Sequence, residues 1–245
     1  MTGPRMVLVA ITRQGGARAR ALALRLPAAA VLVPARLGAP MAGLSNEVRT
    51  YDGALRAQMA ALLRDYDQVV LFVSLGAVVR LIAPHLKSKD EDPGVLVVDD
   101  AGRFVVPVLS GHLGGSNACA ECLAELLGAT AVITTASDVG GTIPVDILGR
   151  ELGWRVEAPK LNITRVSAHL VNGEPVAFVQ EAGARSWWTR STPLPANIHY
   201  FERFEEVDLI RHKAVLWVTR RDIVPDLWAH LAERLVVYRP PREQS

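Results

Sequence analysis

The sequence has little cysteine, few aromatic residues and almost no net charge: two cysteines, 6% aromatic residues and a formal net charge of +2 among 245 residues. Two cysteines exclude a disulfide framework of the kind that stabilises small secreted domains. The balanced charge gives no reason to expect nucleic acid or an acidic membrane as a partner. We also find no apolar run long enough to span a bilayer and no signal-peptide pattern. We therefore expect a cytoplasmic protein.

The two cysteines, Cys119 and Cys122, form a C-x-x-C pair, a spacing found in redox and zinc sites. The sequence has no second pair to complete a tetrahedral zinc site. Both positions fall on the apolar stripe of a predicted helix, where free cysteine packs as a small hydrophobic residue. Core packing is therefore the favoured interpretation, redox or metal chemistry is the alternative, and no metal site is expected.

Half of the residues are hydrophobic, so a chain of this length can bury a sizeable core in one large or two modest domains. Apolar strands alternate with amphipathic helices, which is the βαβ rhythm of a parallel sheet. We predict an α/β fold: a parallel-rich, open, Rossmann-like sheet flanked by helices, followed by a smaller α/β domain. The predicted strands of the first part are 6–12, 30–33, 68–74, 94–99, 103–109 and 131–135, and its helices are 16–26 and 53–64.

The predicted domains are an N-terminal α/β domain at 1–138, a central α/β domain at 139–240 and a disordered tail at 241–245. The linker Asp100-Ala101-Gly102 is short enough for a hairpin, so the first sheet should contain one antiparallel pair. The second domain should contain helices at 144–153 and 160–171, and strands at 176–180 and 214–219.

The stretch 182–197 is long for a loop within a compact domain, and it contains Trp187 and Trp188. One interpretation is a mobile lid whose tryptophans stack on a ligand. The favoured interpretation is a surface excursion whose tryptophans pack back on the core.

The run from Leu109 to Asn117 reads L-S-G-H-L-G-G-S-N and separates an apolar strand from an amphipathic helix. Its glycines, Gly111, Gly114 and Gly115, would let backbone N–H groups approach a carboxylate or phosphate, which a helix N-terminus also attracts. His112 titrates near neutrality, so the same loop could hold an anion and move a proton. The alternative is a histidine that only hydrogen-bonds the backbone at a helix start.

Two earlier segments carry positive charge. In S-L-G-A-V-V-R, Gly76 would let an anion approach the backbone while Arg80 projects from the following helix; the alternative is a tight turn with a surface arginine. In K-S-K-D-E-D-P, Lys87 and Lys89 are two of the four lysines of the chain, and Asp92 could orient a lysine or a water. A solvated charge run is the alternative for this second segment.

The predicted strand 131–135 ends in polar residues, Thr134 and Thr135, and Asp138 follows shortly after. If this strand runs parallel to 103–109, these side chains should lie on the same edge of the sheet as the glycine-rich run.

Four motifs in this order resemble those of the cobalt-precorrin-5A hydrolase family of anaerobic cobalamin biosynthesis. They are S-L-G-A-V-V-R-L-I-A-P from Ser74, K-S-K-D-E-D-P from Lys87, L-S-G-H-L-G-G-S-N from Leu109 and I-T-T-A-S-D from Ile133. The resemblance is strong over 1–138 and weaker to about 240, where Lys160, Asn162 and the turn at 170–174 carry it.

The resemblance implies a substrate rather than a cofactor: a porphyrin-like cobalt-corrinoid ring fringed with acetate and propionate arms, so that the cobalt arrives within the substrate. The family's reaction opens a lactone on the ring with water and releases acetaldehyde, giving cobalt-precorrin-5B. We expect Arg80, Lys87, Lys89 and the N–H groups of the glycine-rich run to bind the carboxylate arms.

On this hypothesis His112 is the general base, and N–H groups near Gly114 and Gly115 stabilise the oxyanion. Four polar side chains would orient water or the substrate arms: Ser110, Asn117, Thr135 and Asp138. A second mechanism would use Ser110 as the nucleophile with His112 as its base, which requires a specific turn between them.

Members of the family continue into a further C-terminal domain to which nothing in this sequence corresponds. We expect an enzyme, and the alternative is a non-catalytic corrinoid-binding or handover subunit that needs a separate protein carrying that domain. A generic nucleotide-binding protein is disfavoured, because no G-x-G-x-x-G opens the first helix and no G-x-x-x-x-G-K-[ST] occurs.

Overall fold

The computed structural model describes residues 4–88, 91–112, 114–136, 140–190 and 192–242. The chain divides into two compact units, Met1–Ile133 and Thr134–Ser245, and each is described by itself. Among the described residues, no helix is both long enough and apolar enough to cross a membrane.

The first unit is built on a seven-stranded sheet with the order β3-β2-β1-β4-β5-β6-β7. Its strands are β1 (Met6–Ala10), β2 (Ala30–Pro34), β3 (Val48–Tyr51), β4 (Gln68–Phe72), β5 (Gly94–Val98), β6 (Phe104–Leu109) and β7 (Thr130–Ala131). Neighbouring strands pair in parallel except β5 and β6, which are antiparallel. The predicted α/β class and the antiparallel pair are both confirmed.

Helices cover both faces of this sheet, which explains why its central strands are continuously apolar. They are α1 (Arg13–Arg25), α2 (Met59–Asp65), α3 (Leu75–Ile82) and α4 (Ser116–Leu127). Side chains of α1 and α4 pack on one face and those of α2 and α3 on the other. Helix α1 begins earlier than predicted because the Thr12 hydroxyl caps it, accepting the Gly15 N–H at 2.9 Å.

The turn between β5 and β6 reverses the chain direction at the end of β5. Gly102 has a φ of +70°, which glycine adopts without strain, and its N–H donates to the Asp99 carbonyl at 2.8 Å. The Asp99 carboxylate accepts the N–H groups of Arg103 and Phe104, each at 2.7 Å. Burial opposes ionisation, but these backbone hydrogen bonds together with the charge of Arg103 lower the pKa of Asp99. The side chain of Asp99 therefore stabilises this hairpin.

The second unit has a five-stranded sheet with the order β10-β9-β11-β12-β8, in which only β8 is antiparallel to its neighbour. Its strands are β8 (Arg155–Glu157), β9 (Val176–Gln180), β10 (Ile198–Phe201), β11 (Ala214–Val218) and β12 (Leu235–Arg239), and its helices are α5 (Lys160–Val171) and α6 (Pro225–His230). Phe178, Leu216 and Tyr238 are fully buried in this unit. The predicted helix 160–171 and strand 176–180 are confirmed.

The predicted helix at 144–153 is wrong. This stretch consists of turns and one short 3-10 segment, Arg150–Leu152, flanked by Gly149 and Gly153 with φ of +71° and +72°. Left-handed glycines interrupt a helix, and Gly149 also packs so tightly against the Trp154 ring that a Cβ could not fit. The predicted strand 131–135 is likewise reduced to the two residues of β7.

The tryptophans of the long loop pack back on the core, as the favoured interpretation predicted. The Trp187 ring stacks on Phe178 with centroids 4.2 Å apart, and its indole N–H donates to Gln180 Oε1 at 2.9 Å. The cysteine prediction is only half right: Cys119 is half-buried, and burial raises its pKa to about 12, whereas Cys122 is exposed. Helix α4 buries Ala120, Leu123 and Ala124 instead, so the apolar stripe lies beside Cys122 rather than on it.

Of the predicted disordered tail, residues 243–245 lie outside the described residues. The Pro241 carbonyl accepts a hydrogen bond from Arg220 Nη2 at 2.9 Å, so the chain is attached to the second unit at this residue.

Candidate functional site

The glycine loop, residues 110–115, follows β6, whose direction decides which edge of the sheet it occupies. We call the edge where β4 and β5 begin the amino edge and the edge where they end the carboxyl edge. The register pairs Val95 with Leu109 and Val98 with Val105. Because β6 runs backwards along β5, the glycine loop lies at the amino edge.

Two side-chain hydrogen bonds fasten the glycine loop to this edge. The Ser110 hydroxyl donates to the Asp92 carbonyl at 2.7 Å, and Gln68 Nε2 donates to the Gly114 carbonyl. The Ser110 proton is therefore directed at a backbone carbonyl, which does not support Ser110 as the nucleophile of the second mechanism. Ser110 also has a φ of +55°, an uncommon left-handed conformation outside glycine.

Backbone hydrogen bonds within the loop occupy the first N–H groups of α4. The Gly115 N–H donates to the His112 carbonyl at 3.0 Å, and the Asn117 N–H donates to the Gly111 carbonyl at 3.1 Å. The Ser116 N–H lies 3.3 Å from the Ser110 carbonyl. The predicted oxyanion role of the Gly115 N–H is therefore not supported, because that donor already has an acceptor inside the loop.

The glycines at 111 and 114 are explained by packing within the loop. A Cβ on Gly111 would lie 2.7 Å from Asn117 Oδ1, and one on Gly114 would lie 2.5 Å from the Ser110 Cβ. Real Cβ atoms do not approach so closely, so a side chain at either position would force the loop open. Asn117 itself is buried against Gly111 rather than exposed for substrate.

His112 is half-buried within the loop. Its carbonyl anchors the loop through Gly115, which fixes the backbone that carries the imidazole. Leu113, the next residue, lies outside the described residues.

The end of segment 87–92 lies beside the glycine loop, since the backbone carbonyl of Asp92 accepts the Ser110 hydroxyl. The Asp92 carboxylate accepts the Lys87 N–H at 3.1 Å, so it fixes the lysine through its main chain. The Lys87 side chain is 70% exposed, and its ammonium lies 3.9 Å from Glu91 Oε2, a contact of little energetic value. Lys89 lies outside the described residues.

A cleft of about 680 Å³ opens next to this segment. It is lined by residues of α2, by residues 84–86 after α3 and by described residues of segment 87–92, among them Arg64, His85, Lys87, Glu91 and Asp92. The amino edge therefore carries a cleft with an exposed lysine and, joined to it through Asp92, the histidine-bearing loop, whose described residues are not among those that line the cleft.

Gly76 and Arg80 do not belong to this arrangement. Helix α3 begins just after β4 ends, so Gly76 lies at the carboxyl edge, and Arg80 Nη1 reaches back to the Gly76 carbonyl at 2.7 Å. At about 3.3 Å per residue, β4 holds Gly76 roughly 15 Å from Gln68 and the loop that Gln68 contacts. Arg80 and the glycine loop, which we expected to bind arms of the same ring, therefore lie at opposite edges of the sheet, because β6 is antiparallel to β5.

The carboxyl edge has a separate cavity of about 370 Å³, which sequence reasoning missed. It is lined mainly by apolar side chains, including the exposed Leu75 and Phe104, together with Ser74 and Asp99. The sequence signal for this cavity was the predicted hairpin. An antiparallel β6 begins, rather than ends, beside the ends of β4 and β5, so this edge is separate from the glycine loop.

The remaining predicted residues follow β7. The parallel pairing of β6 and β7 is confirmed, but Thr134 and Thr135 fall in the second compact unit. Thr134 is exposed and Thr135 half-buried, and Asp138 lies outside the described residues.

Gln68 is a site residue that sequence reasoning did not single out. It is 4% exposed, opens an otherwise apolar strand and holds the Gly114 carbonyl, while its Oε1 has no hydrogen-bond donor among the described residues. A glutamine at the start of a continuously apolar strand was the available signal.

Comparison with known proteins identifies two consecutive family regions in the chain. The cobalamin synthesis G N-terminal model matches residues 57–138, and the cobalamin biosynthesis central-region model matches 143–240. A crystal structure of a cobalamin biosynthesis protein G homolog from Sulfolobus solfataricus aligns with 96% of this chain and 60% of its own, at 18% identity and a TM-score of 0.49.

Two curated relatives align with most of this chain. The chain is 45% identical over 195 residues to the cobalt-precorrin-5A hydrolase of Priestia megaterium, covering 80% of this chain and 52% of that protein. It is 29% identical over 194 residues to the cobalt-precorrin-5A hydrolase of Salmonella typhimurium, covering 76% and 53%. The chain thus spans about half the length of these relatives. Through its N-terminal and central regions, it belongs to the cobalt-precorrin-5A hydrolase family.

Proposed function

We propose that this chain acts in cobalamin biosynthesis as a hydrolase of the cobalt-precorrin-5A lactone, releasing acetaldehyde and giving cobalt-precorrin-5B. The observation that carries the proposal is the 45% identity over 195 residues to a cobalt-precorrin-5A hydrolase. The proposal invokes no separate cofactor, because the cobalt arrives in the corrinoid ring. It places the protein in the cytoplasm with a small-molecule substrate and no nucleic acid.

His112 is the general base of the proposed reaction. An imidazole titrates near neutrality and can take a proton from the attacking water. Water adds to the lactone carbonyl and the ring C–O bond breaks, leaving a carboxylate and an alcohol. Loss of the alcohol proton then lets the adjacent carbon–carbon bond break. Acetaldehyde leaves, and the corrinoid ring retains the bonding electrons.

Lys87 binds a carboxylate arm of the ring in this proposal. Its side chain is 70% exposed beside the amino-edge cleft, and its contact with Glu91 at 3.9 Å is too weak to compete strongly with a substrate carboxylate. Asp92 keeps the lysine backbone in place through its N–H. Lysine suits this role because its three donors rotate to meet a flexible arm.

Acetaldehyde release from the lactone-bearing intermediate tests the proposal. The wild-type chain should release acetaldehyde, and His112→Ala should lower kcat by about 100-fold or more, the usual contribution of a general base. Binding of the intermediate should change less than twofold, because the base acts on water. His230→Ala, which removes an exposed histidine of α6 in the second unit, is the matched control and should keep the wild-type rate. Wild-type turnover in His112→Ala would exclude the imidazole as base.

The alternative function is corrinoid binding and handover without turnover by this chain. It is favoured by one observation: the activity of the curated relatives belongs to proteins of which the chain covers 52% and 53%. The same assay separates the alternatives when a protein carrying the relatives' remaining region is added. Release by the chain alone excludes the handover role, whereas release only after the addition excludes independent catalysis.

A further inference from the structure

The second unit has a topological switch point of its own. After β9 the chain forms β10 on one side of β9, and it then returns to form β11 on the other side of β9. The first connection packs Trp187, Trp188 and Leu194 on one face of the sheet, and the second packs Phe204, Val207 and Leu209 on the opposite face. Connections that leave adjacent parallel strands on opposite faces open a crevice at the strand ends, where ligands of open α/β sheets bind.

A cavity of about 710 Å³ lies at this switch point, and we call it the arginine crevice. Its polar lining comes from the ends of β9, β10 and β11: Glu181, Glu202, Arg203, Thr219, Arg220 and Arg221. Three guanidinium groups and two carboxylates therefore line one cavity.

Glu181 fixes the floor of the crevice. Its carboxylate is 13% exposed and accepts the Thr219 hydroxyl at 2.8 Å, the Phe204 N–H at 3.1 Å and Arg221 Nε at 2.9 Å. It thereby ties the end of β9 to the end of β11. Arg221 is held further by Glu205 at 2.6 Å and by the Trp217 ring, so this guanidinium is a fixed part of the wall.

The remaining charges leave a cation facing the cavity. Glu202 pairs with Arg185 at 3.1 Å, and Glu181 is committed to Arg221. Arg203 is exposed, and across the described ranges its guanidinium has neither a hydrogen-bond acceptor nor an ion-pair partner. Arg220 also lines the cavity, with Nη2 donating to the Pro241 carbonyl at 2.9 Å.

We propose that the arginine crevice binds a carboxylate-bearing ligand, with Arg203 as the principal contact and Arg220 as the second. A guanidinium pairs with a planar carboxylate through two parallel hydrogen bonds, a geometry that lysine cannot reproduce. The carboxylate source is a peripheral arm of the corrinoid, and in naming that source the inference rests on the proposed function. A free polycarboxylate presents the same chemistry, so the experiment separates the two.

Calorimetric titration of the full chain with cobyrinic acid, a cobalt-corrinoid with free carboxyl arms, tests the inference. Arg203→Ala should weaken binding about tenfold, equivalent to about 1.4 kcal/mol, and Arg203→Lys should recover only part of the loss. The ester of cobyrinic acid, whose arms are uncharged, should bind the wild type and Arg203→Ala with equal affinity. Arg165→Ala, which removes an exposed arginine of α5 that pairs with Glu233, is the matched control and should bind as the wild type does.

Equal affinity of wild type and Arg203→Ala for cobyrinic acid would overturn the inference. So would an Arg203-dependent affinity for citrate or inorganic phosphate without one for cobyrinic acid, since the crevice would then serve a different anion. The proposed function is tested separately by acetaldehyde release. Turnover without Arg203-dependent binding would overturn only the proposal for the arginine crevice. Arg203-dependent binding without turnover would overturn only the proposed hydrolase function.

Discussion

At the scale of single residues, the glycine-rich motif of this family has a structural explanation here. Glycine is required at positions 111 and 114 because the loop packs closely on Asn117 and Ser110. No ligand near their backbone is needed to explain it. The N–H of Gly115 is used inside the loop. The motif therefore forms a closed loop that fixes the backbone of His112, and the N–H groups of residues 115–117 already have acceptors within it.

Gly114→Ala should destabilise the first unit. The new Cβ would lie 2.5 Å from the Ser110 Cβ and 2.9 Å from the Ser110 carbonyl oxygen, so the loop must shift at a cost of about 1–3 kcal/mol. Urea unfolding measures the difference. Gly76→Ala is the control, because its Cβ meets only the movable end of Arg80 and alanine suits a helix, so its stability should match or exceed the wild type. A neutral Gly114→Ala would show that the loop is loosely packed.

At the scale of elements, one hairpin decides the layout of the first unit. The sequence 100–102 correctly predicts the turn, and the apolar runs correctly predict the central strands. Because of this turn, β6 runs antiparallel to β5. The motif after β6 and the motif after β4 therefore lie at opposite edges of the sheet. Following that reversal from the sequence would have separated Arg80 from His112.

Other elements could not be predicted because their signals are weak or non-local. Strands β3 and β8 are short, only partly buried and contain arginine, so no apolar run marks them. The stretch 144–153 has helical spacing, but left-handed Gly149 and its contact with Trp154 prevent the helix. The hydrogen bond from Gln68 to Gly114 joins residues 46 positions apart, which no local pattern reports.

The contribution of the pairing between β8 and β12 to the free energy of unfolding should depend on pH. The side-chain hydrogen bond from Arg239, at 2.6 Å, lowers the pKa of Glu157, although burial opposes this. A carboxyl whose folded pKa is lowered stabilises the fold above its unfolded pKa and loses that contribution as pH falls through the lowered value. Glu157→Gln should therefore cost about 0.5 kcal/mol at pH 7, since the carboxylate is 42% exposed, and less near pH 3.

Urea unfolding of Glu157→Gln at the two pH values checks this expectation. Glu121→Gln is the control, since Glu121 is an exposed residue of α4 without an ion pair in the part of the chain that the structure describes, and its effect should not change with pH. A pH-independent loss in Glu157→Gln would assign the contribution to packing rather than to charge.

At the scale of the whole molecule, each unit has its own sheet and its own candidate binding feature. The first unit has the glycine loop and the cleft at its amino edge, and the second has the arginine crevice. Because the two features are built from separate sheets, substitutions in one should leave the fold of the other intact. The family match extends over both units, from residue 57 to residue 240.

We propose that the substrate binds at the amino edge of the first sheet rather than at its carboxyl edge. The most direct test is the affinity of Lys87→Ala and Arg80→Ala for cobalt-precorrin-5A or a stable cobalt-corrinoid carboxylate. Lys87→Ala should weaken binding about fivefold at low salt and less at high salt, because an exposed charge contact is screened. Arg80→Ala should bind as the wild type does. Weakened binding in Arg80→Ala with unchanged affinity in Lys87→Ala would contradict the account.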